Sequence, residues 1–178
     1  MRNQKLRIMV EVAVAAALTF ILDLIVLYRM PQGGSVNLSM LPTIVIALRY
    51  GVKVGMVAGL IAGTISALPS PTLVHPIQFL LDYPIAYAVL GVAGLCRNRR
   101  ILYVVGAVMA GVLRYFSHVL SGIVFFGEYA EGPVILYSLG YQLPYIIPST
   151  ILVSVVIGLL PAIVFQPSVA PPVSKEAA

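Results

Sequence analysis

Long runs of apolar residues, separated by short polar or charged stretches, make up most of this 178-residue chain. Six runs can be distinguished, at residues 8–28, 36–48, 52–68, 77–95, 101–126 and 134–165. A helix needs about 20 residues to cross the ~30 Å hydrocarbon core of a bilayer. The second run is too short for that, and the others are near or above that length. The pattern predicts an all-α membrane protein with six transmembrane helices, one of them short.

The short second run begins with polar residues. Ser35, Asn37 and Ser39 alternate with apolar neighbours at its start. Polar groups at membrane depth are tolerated only where protein or water covers them. We therefore expect this start to line a cavity, with the run crossing only part of the bilayer.

The composition agrees with a lipid environment. Hydrophobic residues make up 60% of the chain, charged residues 10%, and the mean hydropathy is +1.01. A soluble domain has about 25% charged residues. Six acidic and eleven basic residues are too few for a polar surface, so the bilayer must solvate most of the protein. The basic residues sit between apolar runs and form no stripe interleaved with aromatics, which argues against nucleic-acid binding.

The loop charges predict the orientation. With six crossings, nine of the eleven basic residues fall on one side: Arg2, Lys5, Arg7, Arg49, Lys53, Arg97, Arg99, Arg100 and Lys175. The opposite side has Arg29 with Glu128 and Glu131. Because basic residues accumulate in cytoplasmic loops, both termini are predicted to be cytoplasmic.

The ends of the chain complete the predicted organisation. The first run is too long for a signal peptide and has no cleavage site after it, so it is interpreted as a retained helix. Residues 1–166 are expected to form a single six-helix membrane domain, and the proline-rich residues 167–178 a disordered cytoplasmic tail. No phosphate-binding loop of the ATPase type occurs. If the protein drives transport, its energy comes from elsewhere.

Two helix faces carry small residues at a spacing of four. Gly51, Gly55, Gly59 and Gly63 form a smooth ridge that predicts close helix packing inside the protein. Ala13 and Ala17 form a similar face on the first helix. Alanine is also simply a good helix former, so this second face is ambiguous from composition alone.

Ionisable residues inside membrane spans are rare and usually functional. The candidates are Glu11, Asp23, Asp82, Arg114 and His118. Arg114 and His118 are four apart and share a helix face, which continues near Gly122 and Phe126. Asp23 is expected to be structural, either paired with Arg114 or hydrogen-bonded to a neighbouring helix.

Three segments place polar and aromatic residues at a similar depth near the outer face. They contribute Asp82 and Tyr83, then His118 and Phe126, then Tyr137, Tyr141 and Gln142. Aromatic walls with one carboxylate predict an outward-facing pocket for a small, planar cation. A bound cation and tyrosine hydroxyls would offset the desolvation of Asp82. The competing explanation is a permanent ion pair between Asp82 and Arg114.

Four stretches together resemble a known family. They are GGSVNLSMLP, HPIQFLLDYPIAYAVLGVAGL, SHVLSGIVFFGEYAEG and YSLGYQLPYIIPS, and the likeness covers residues 7–165 in order and spacing. They resemble the thiamine-specific substrate-binding (S) component of energy-coupling factor (ECF) transporters.

The resemblance implies a fold, a ligand and partners. It implies six helices that bind thiamine from outside, with no cofactor and no catalytic or metal site. It also implies docking onto a transmembrane coupling subunit that carries two ATP-binding cassette ATPases. The matching ligand-binding positions are Asp82, Tyr83, His118, Gly122 and Tyr137. The family's docking face falls on Ala13 and Ala17.

Two positions depart from the family pattern. Phe126 stands where some members have tryptophan, and Gln142 where members commonly have asparagine. A related pyrimidine or thiazole precursor is therefore an alternative ligand. Three alternatives come from other functional classes. One is a small membrane enzyme using His118 and Asp82 as an acid–base pair, although no nucleophile or metal motif accompanies them. The other two are a lone facilitator and a structural helix bundle.

Overall fold

Helices dominate the computed structural model, which describes residues 2–69 and 74–167. We number the main helices α1 (Arg2–Leu24), α2 (Met40–Tyr50), α3 (Val52–Ser66), α4 (Pro76–Cys96), α5 (Arg100–Phe125) and α6 (Val134–Leu159). Short 3₁₀ turns follow at Gly127–Tyr129 and Ala162–Phe165. The sixth apolar run therefore does not form one helix to residue 165. The expected disordered tail lies outside the described residues from residue 168 onward.

Three helices, α4, α5 and α6, are long and apolar enough to cross a membrane by length and composition. α2 and α3 are shorter apolar helices of 11 and 15 residues. At about 1.5 Å per residue, α2 spans only ~16 Å, roughly half of a hydrocarbon core. α1 has 23 residues, but Lys5, Arg7, Glu11 and Asp23 interrupt its apolar face.

The chain between α1 and α2 forms a small hairpin that the helical pattern did not predict. Strands Tyr28–Arg29 and Ser35–Val36 pair antiparallel, so α2 begins at Met40 rather than at residue 36. The cause is local: Gly33 and Gly34 adopt φ values of 98° and 88°, which side-chain-bearing residues rarely reach. These glycines reverse the chain between the two strands.

Asn37 ties this hairpin to the helices around it. Its Nδ2 donates to Asp23 Oδ1 and to Ser35 Oγ, each at 2.9 Å. Its Oδ1 accepts from the Ser39 amide at 3.0 Å and the Ser39 hydroxyl at 2.7 Å. Asp23 Oδ1 also accepts from the Tyr87 hydroxyl of α4 at 3.5 Å. Of the two alternatives given for Asp23, the hydrogen bond to a neighbouring helix is present, and a pair with Arg114 is absent from the described ion pairs.

α4 changes its winding where the candidate site lies. A π-helical turn covers Leu81–Ile85, and a 3₁₀ stretch covers Val89–Cys96. Pro84 lies inside the π turn and has no N–H to continue the α-helical ladder. At the start of the same turn, the carbonyl of Leu81 accepts from the Ser117 hydroxyl on α5 at 2.6 Å. This contact fixes the turn that carries Asp82 against α5.

The glycine ridge of α3 packs inside the protein, as its spacing predicted. A Cβ at Gly59 would lie 2.1 Å from the Tyr87 carbonyl oxygen, and one at Gly63 would lie 2.4 Å from that of Tyr83. Neither α4 backbone atom can move aside easily. The absence of side chains on α3 therefore lets α4 approach closely at the level of the site.

α5 shows the packing of a lipid-solvated helix. Its buried face is small or weakly polar: Gly106, Ala107, Ala110, Gly111, Ser117, Val119, Ser121 and Gly122. Its exposed face carries large apolar side chains such as Val105, Val108, Val112, Phe116, Leu120 and Val124. In lipid, close backbone approach and hydrogen bonds hold helices together, and large side chains are solvated outside.

A charged contact links α1 to the corner between α2 and α3. Glu11 Oε2 accepts from Arg49 Nη1 at 3.0 Å and from the Tyr50 hydroxyl at 2.7 Å. Arg49 Nε also donates to the Gln166 carbonyl at 3.1 Å. Glu11, whose role the sequence left open, thus connects α1 to the end of α2.

The close α3–α4 approach can be tested with alanine. Gly59→Ala should force the helices apart and cost about 1–3 kcal/mol, the range for overpacking a tight interface. The matched control is Gly140→Ala on α6, where a Cβ would meet nothing within 4 Å. Circular dichroism in detergent should show a lower Tm for Gly59→Ala and an unchanged or slightly higher Tm for Gly140→Ala. Equal Tm values would contradict the close approach.

Candidate ligand-binding site

A cavity of about 260 Å³ lies between α4, α5, α6, the end of α1 and the hairpin. This volume is near the lower end of the ~300–1,000 Å³ typical of small-molecule sites. All of the cavity residues proposed from the sequence line it: Asp82, Tyr83, His118, Gly122, Phe126, Tyr137 and Gln142.

Three protein donors satisfy the Asp82 carboxylate. Gln78 Nε2 donates to Oδ2 at 2.6 Å, and the Ser121 hydroxyl donates to the same oxygen at 2.9 Å. His118 Nδ1 lies 3.0 Å from Oδ1. Hydrogen bonds to a charged group offset part of its desolvation. These donors explain how the protein holds a carboxylate in this apolar region.

Arg114 does not form the ion pair with Asp82 that the sequence left as an alternative. Its Nε donates to His118 Nε2 at 3.3 Å, so the imidazole stands between guanidinium and carboxylate. The guanidinium carbon lies 4.1 Å from the centre of the Tyr87 ring, a cation–π contact. Arg114 is therefore held by an aromatic face and a histidine.

α6 closes the cavity with a network of its own. The Tyr145 hydroxyl donates to Gln142 Oε1, and Gln142 Nε2 donates to the His118 carbonyl at 3.3 Å. Gly122 of α5 packs against this wall, since a Cβ there would lie 2.2 Å from Ser138 Oγ. A side chain at position 122 would therefore displace the Ser138 hydroxyl, which donates to the Val119 carbonyl at 2.8 Å.

Aromatic rings surround the polar centre. Tyr137 lies beside Tyr141, with ring centroids 5.7 Å apart. Phe126 follows α5 directly and stacks on Tyr129 at 6.4 Å. Tyr83 stacks on Phe79 at 6.2 Å. These rings offer flat apolar faces to a planar ligand.

The hairpin between α1 and α2 covers part of the cavity and is attached to α6. The Tyr141 hydroxyl accepts from the Gln32 amide at 2.8 Å and donates to the Gly33 carbonyl at 3.1 Å. A Cβ on Gly34 would lie 2.6 Å from the Tyr145 ring. The backbone of the hairpin therefore packs directly on α6.

Comparisons with known proteins identify the family. The family model "Thiamine transporter protein (Thia_YuaJ)" matches residues 9–167. The thiamine transporter ThiT of Bacillus subtilis is 38% identical over 177 residues, covering 89% of this chain and 92% of that protein. ThiT of Lacticaseibacillus paracasei is 29% identical and covers 89% of each chain. A solved structure of ThiT from Listeria monocytogenes superposes with a TM-score of 0.84 at 26% identity, covering 93% of this chain and 100% of that one.

The chain belongs to the thiamine transporter family. This family consists of transporters and not of enzymes, so the acid–base enzyme hypothesis for His118 and Asp82 is set aside. Within residues 2–69 and 74–167, no group of three or more His, Cys, Asp and Glu side chains is placed to hold a metal ion.

The prediction from the sequence did not include several polar residues of the cavity. Gln78 precedes Asp82 by four positions, and Ser121 follows His118 by three, so helical spacing could have found both. Tyr145 lies on a polar stripe of α6 that also contains Ser138, Gln142 and Ser149. These residues could have been found by looking for polar residues three or four positions from each other and from each ionisable residue.

The two alanines proposed for docking lie away from the cavity. Ala13 and Ala17 are both exposed on α1, whereas Ala15 and Ala16 between them are buried at 6% and 2% exposure. Ala13 and Ala17 therefore form a smooth outer surface and are not part of the internal packing.

The attachment of the hairpin can be tested by hydrogen exchange. Tyr141→Phe removes the acceptor for the Gln32 amide and the donor to Gly33, each worth about 1 kcal/mol. Loss of both bonds, about 2 kcal/mol, should accelerate exchange of the residue 30–36 amides by up to about thirtyfold in mass spectrometry. The control is Tyr137→Phe, whose hydroxyl has no hydrogen bond to the hairpin among the described contacts. Unchanged exchange in Tyr141→Phe would contradict the attachment.

Proposed function

We propose that this chain is the thiamine-binding S component of an ECF-type vitamin uptake transporter in the bacterial plasma membrane. Its ligand would enter from outside and be delivered by a separate energizing module. Membership of the thiamine transporter family and the character of the cavity support this proposal.

The observation that best supports the proposal is the Asp82 carboxylate within a cavity with aromatic walls. Asp82 and Asp23 line the cavity, and Arg114 is the cation at its inner wall. Arg29 also lines it but is exposed, where solvent and salt screen its charge. The inner wall thus contains two carboxyl groups and one guanidinium. The thiazolium of thiamine is a permanent single cation that such a wall would attract.

The second part of the ligand also suits the site. The aminopyrimidine of thiamine carries donors and acceptors that a carboxylate, a serine and a tyrosine can meet. Tyr83, Phe126 and Tyr137 provide faces for its two planar rings. The His118 ring nitrogens are both engaged within the protein, so a direct contact to the hydroxyethyl arm is not part of the proposal.

The proposed topology has six crossings within one membrane domain, residues 1–166. α2 would cross only part of the bilayer, with α1 and α3 completing the set beside α4, α5 and α6. The basic residues before α1, at the α2–α3 corner and between α4 and α5 favour cytoplasmic placement of those ends. Both termini are then cytoplasmic.

The proposed partners are a transmembrane coupling subunit and two ATP-binding cassette ATPases. The chain's lack of a phosphate-binding loop requires that ATP be hydrolysed by another protein. The exposed Ala13 and Ala17 on α1 form a smooth face on which a partner helix can pack closely.

A related pyrimidine or thiazole precursor is the second candidate ligand. The observation that favours it is the Gln142 amide, which accepts from Tyr145 and donates to the His118 carbonyl within the protein. A ligand that needs fewer polar contacts on the α6 side would suit this arrangement.

The charge at position 82 is the direct test. Asp82→Asn keeps the size but loses the anion and turns a donor toward His118, so thiamine affinity should fall by about 1–3 kcal/mol in calorimetry. The matched control is Glu128→Gln, which removes an exposed charge in the loop after α5. Unchanged affinity in Asp82→Asn, or an equal loss in Glu128→Gln, would contradict the role of Asp82.

The docking face gives a separate test in cells. Ala13→Trp or Ala17→Trp should abolish thiamine uptake, because a bulky ring prevents close helix contact, yet spare thiamine binding by the purified protein. Val155→Trp on α6 is the control, since Val155 is 54% exposed and lies outside the proposed face. Loss of binding together with uptake would instead indicate a packing role for these alanines.

A further inference from the structure

Two corners of the bundle, between α2 and α3 and between α4 and α5, meet at the end away from the hairpin. A Cβ on Gly94 would lie 2.5 Å from the Val52 amide nitrogen and 2.6 Å from the Gly51 carbonyl carbon. A Cβ on Gly51 would in turn lie 2.9 Å from Arg97 Nη1. The two corners are therefore in backbone contact, and the Arg97 guanidinium lies over Gly51.

Exposed basic side chains are gathered on these two corners. We call them the basic corner, which consists of Lys53 at the start of α3 and of Arg97, Arg99 and Arg100 between α4 and α5. Arg100 Nη2 donates to the Leu160 carbonyl at 3.1 Å, so the end of α6 lies beside them. The basic corner thus borders three helix connections at one end of the bundle.

Acidic side chains do not balance the basic corner in the part of the chain that the structure describes. Glu11 is the described acid at this end, and it is paired with Arg49 at 3.0 Å. The other described acids lie in the cavity or in the loop after α5: Asp23, Asp82, Glu128 and Glu131. Glu176 lies outside the described residues. The clustered cations produce a positive potential that favours an anion.

Large apolar side chains border the basic corner. Leu95 and Ile101, on either side of the link that carries the three arginines, are 65% and 82% exposed. Leu159 precedes the carbonyl that Arg100 contacts and is 78% exposed. In a membrane protein such side chains are solvated by acyl chains, and cations next to them lie at the level of the headgroups. The surface therefore suits a molecule that has an anionic group and apolar chains.

We propose that the basic corner binds the phosphate of an anionic phospholipid whose acyl chains lie along Leu95, Ile101 and Leu159. Guanidinium groups bind phosphate oxygens with charge-assisted, often paired hydrogen bonds. A lipid brings the anion and the apolar chains together, whereas an acidic protein segment or free phosphate brings only the anion. In the proposed topology this end faces the cytoplasmic leaflet, where anionic lipids produce a negative surface potential. Recognition of the lipid depends neither on thiamine nor on partner subunits.

Native mass spectrometry tests the proposal directly. The purified protein is released from mixed micelles of detergent with equal amounts of phosphatidylglycerol and phosphatidylcholine that have the same acyl chains. We expect it to retain phosphatidylglycerol in preference to phosphatidylcholine. A basic residue near an anionic membrane surface contributes about a fivefold preference. Arg97→Gln and Arg99→Gln should therefore each lower the preference about fivefold.

Two further variants are the controls. Arg29→Gln removes one positive charge at the hairpin end, and both ends of the bundle meet the same lipids in the micelle, so its preference should equal that of the unaltered protein. Ile101→Ser removes an apolar contact and should lower retention of both lipids alike. Circular dichroism establishes that each variant is folded. Should Arg97→Gln fail to fold, Arg99→Gln decides.

Several results would overturn the proposal. Equal retention of the two lipids by the unaltered protein would leave an acidic protein segment as the occupant. An equal loss of preference in Arg29→Gln would indicate attraction by net charge alone. Unchanged retention in Ile101→Ser, or displacement of phosphatidylglycerol by inorganic phosphate at equal concentration, would show that only the anion is recognised. A failure to bind thiamine would refute the proposed function and leave these results unaffected.

Discussion

The site depends on the partly buried carboxylate of Asp82, which the protein must stabilise without neutralising. An isolated carboxylate in an apolar region is too costly to keep ionised. Gln78, Ser121 and His118 reduce that cost with hydrogen bonds, and Arg114 is kept one residue further away. A direct ion pair would have cancelled the charge and left no attraction for a cation. The geometry thus keeps the anion stable and still available.

The packing of the bundle supports this arrangement because small residues face inward. Gly59 and Gly63 let α4 approach α3 to backbone contact, and Gly122 leaves room on α5 for the Ser138 and Gln142 side chains of α6. The π turn at Leu81–Ile85 places Asp82 in the cavity, and the Ser117 hydroxyl donates to the Leu81 carbonyl of this turn. The small residues that allow close helix contact therefore also help to position the site.

Apolar length and spacing predicted the helices and the cavity-lining residues well, because both follow from periodicity. The hairpin at residues 28–36 was missed because it lies between two apolar runs, where two-residue strands joined by a turn at Gly33 and Gly34 leave no alternating pattern. The donors to Asp82 were missed for another reason. Arg114 was considered as a direct partner, but the sequence does not show that Tyr87 offers a ring face and that His118 stands between the charges. Contacts among three side chains from different helices depend on how each helix is rotated about its own axis. The spacing of residues along the sequence does not determine that rotation.

The most direct test of the account is calorimetric titration of the purified protein with thiamine, with riboflavin and biotin as controls. The account predicts tight one-to-one binding of thiamine alone, since only thiamine brings a permanent cation to the Asp82 cavity. The absence of binding at micromolar thiamine, or equal binding of the uncharged riboflavin, would contradict it.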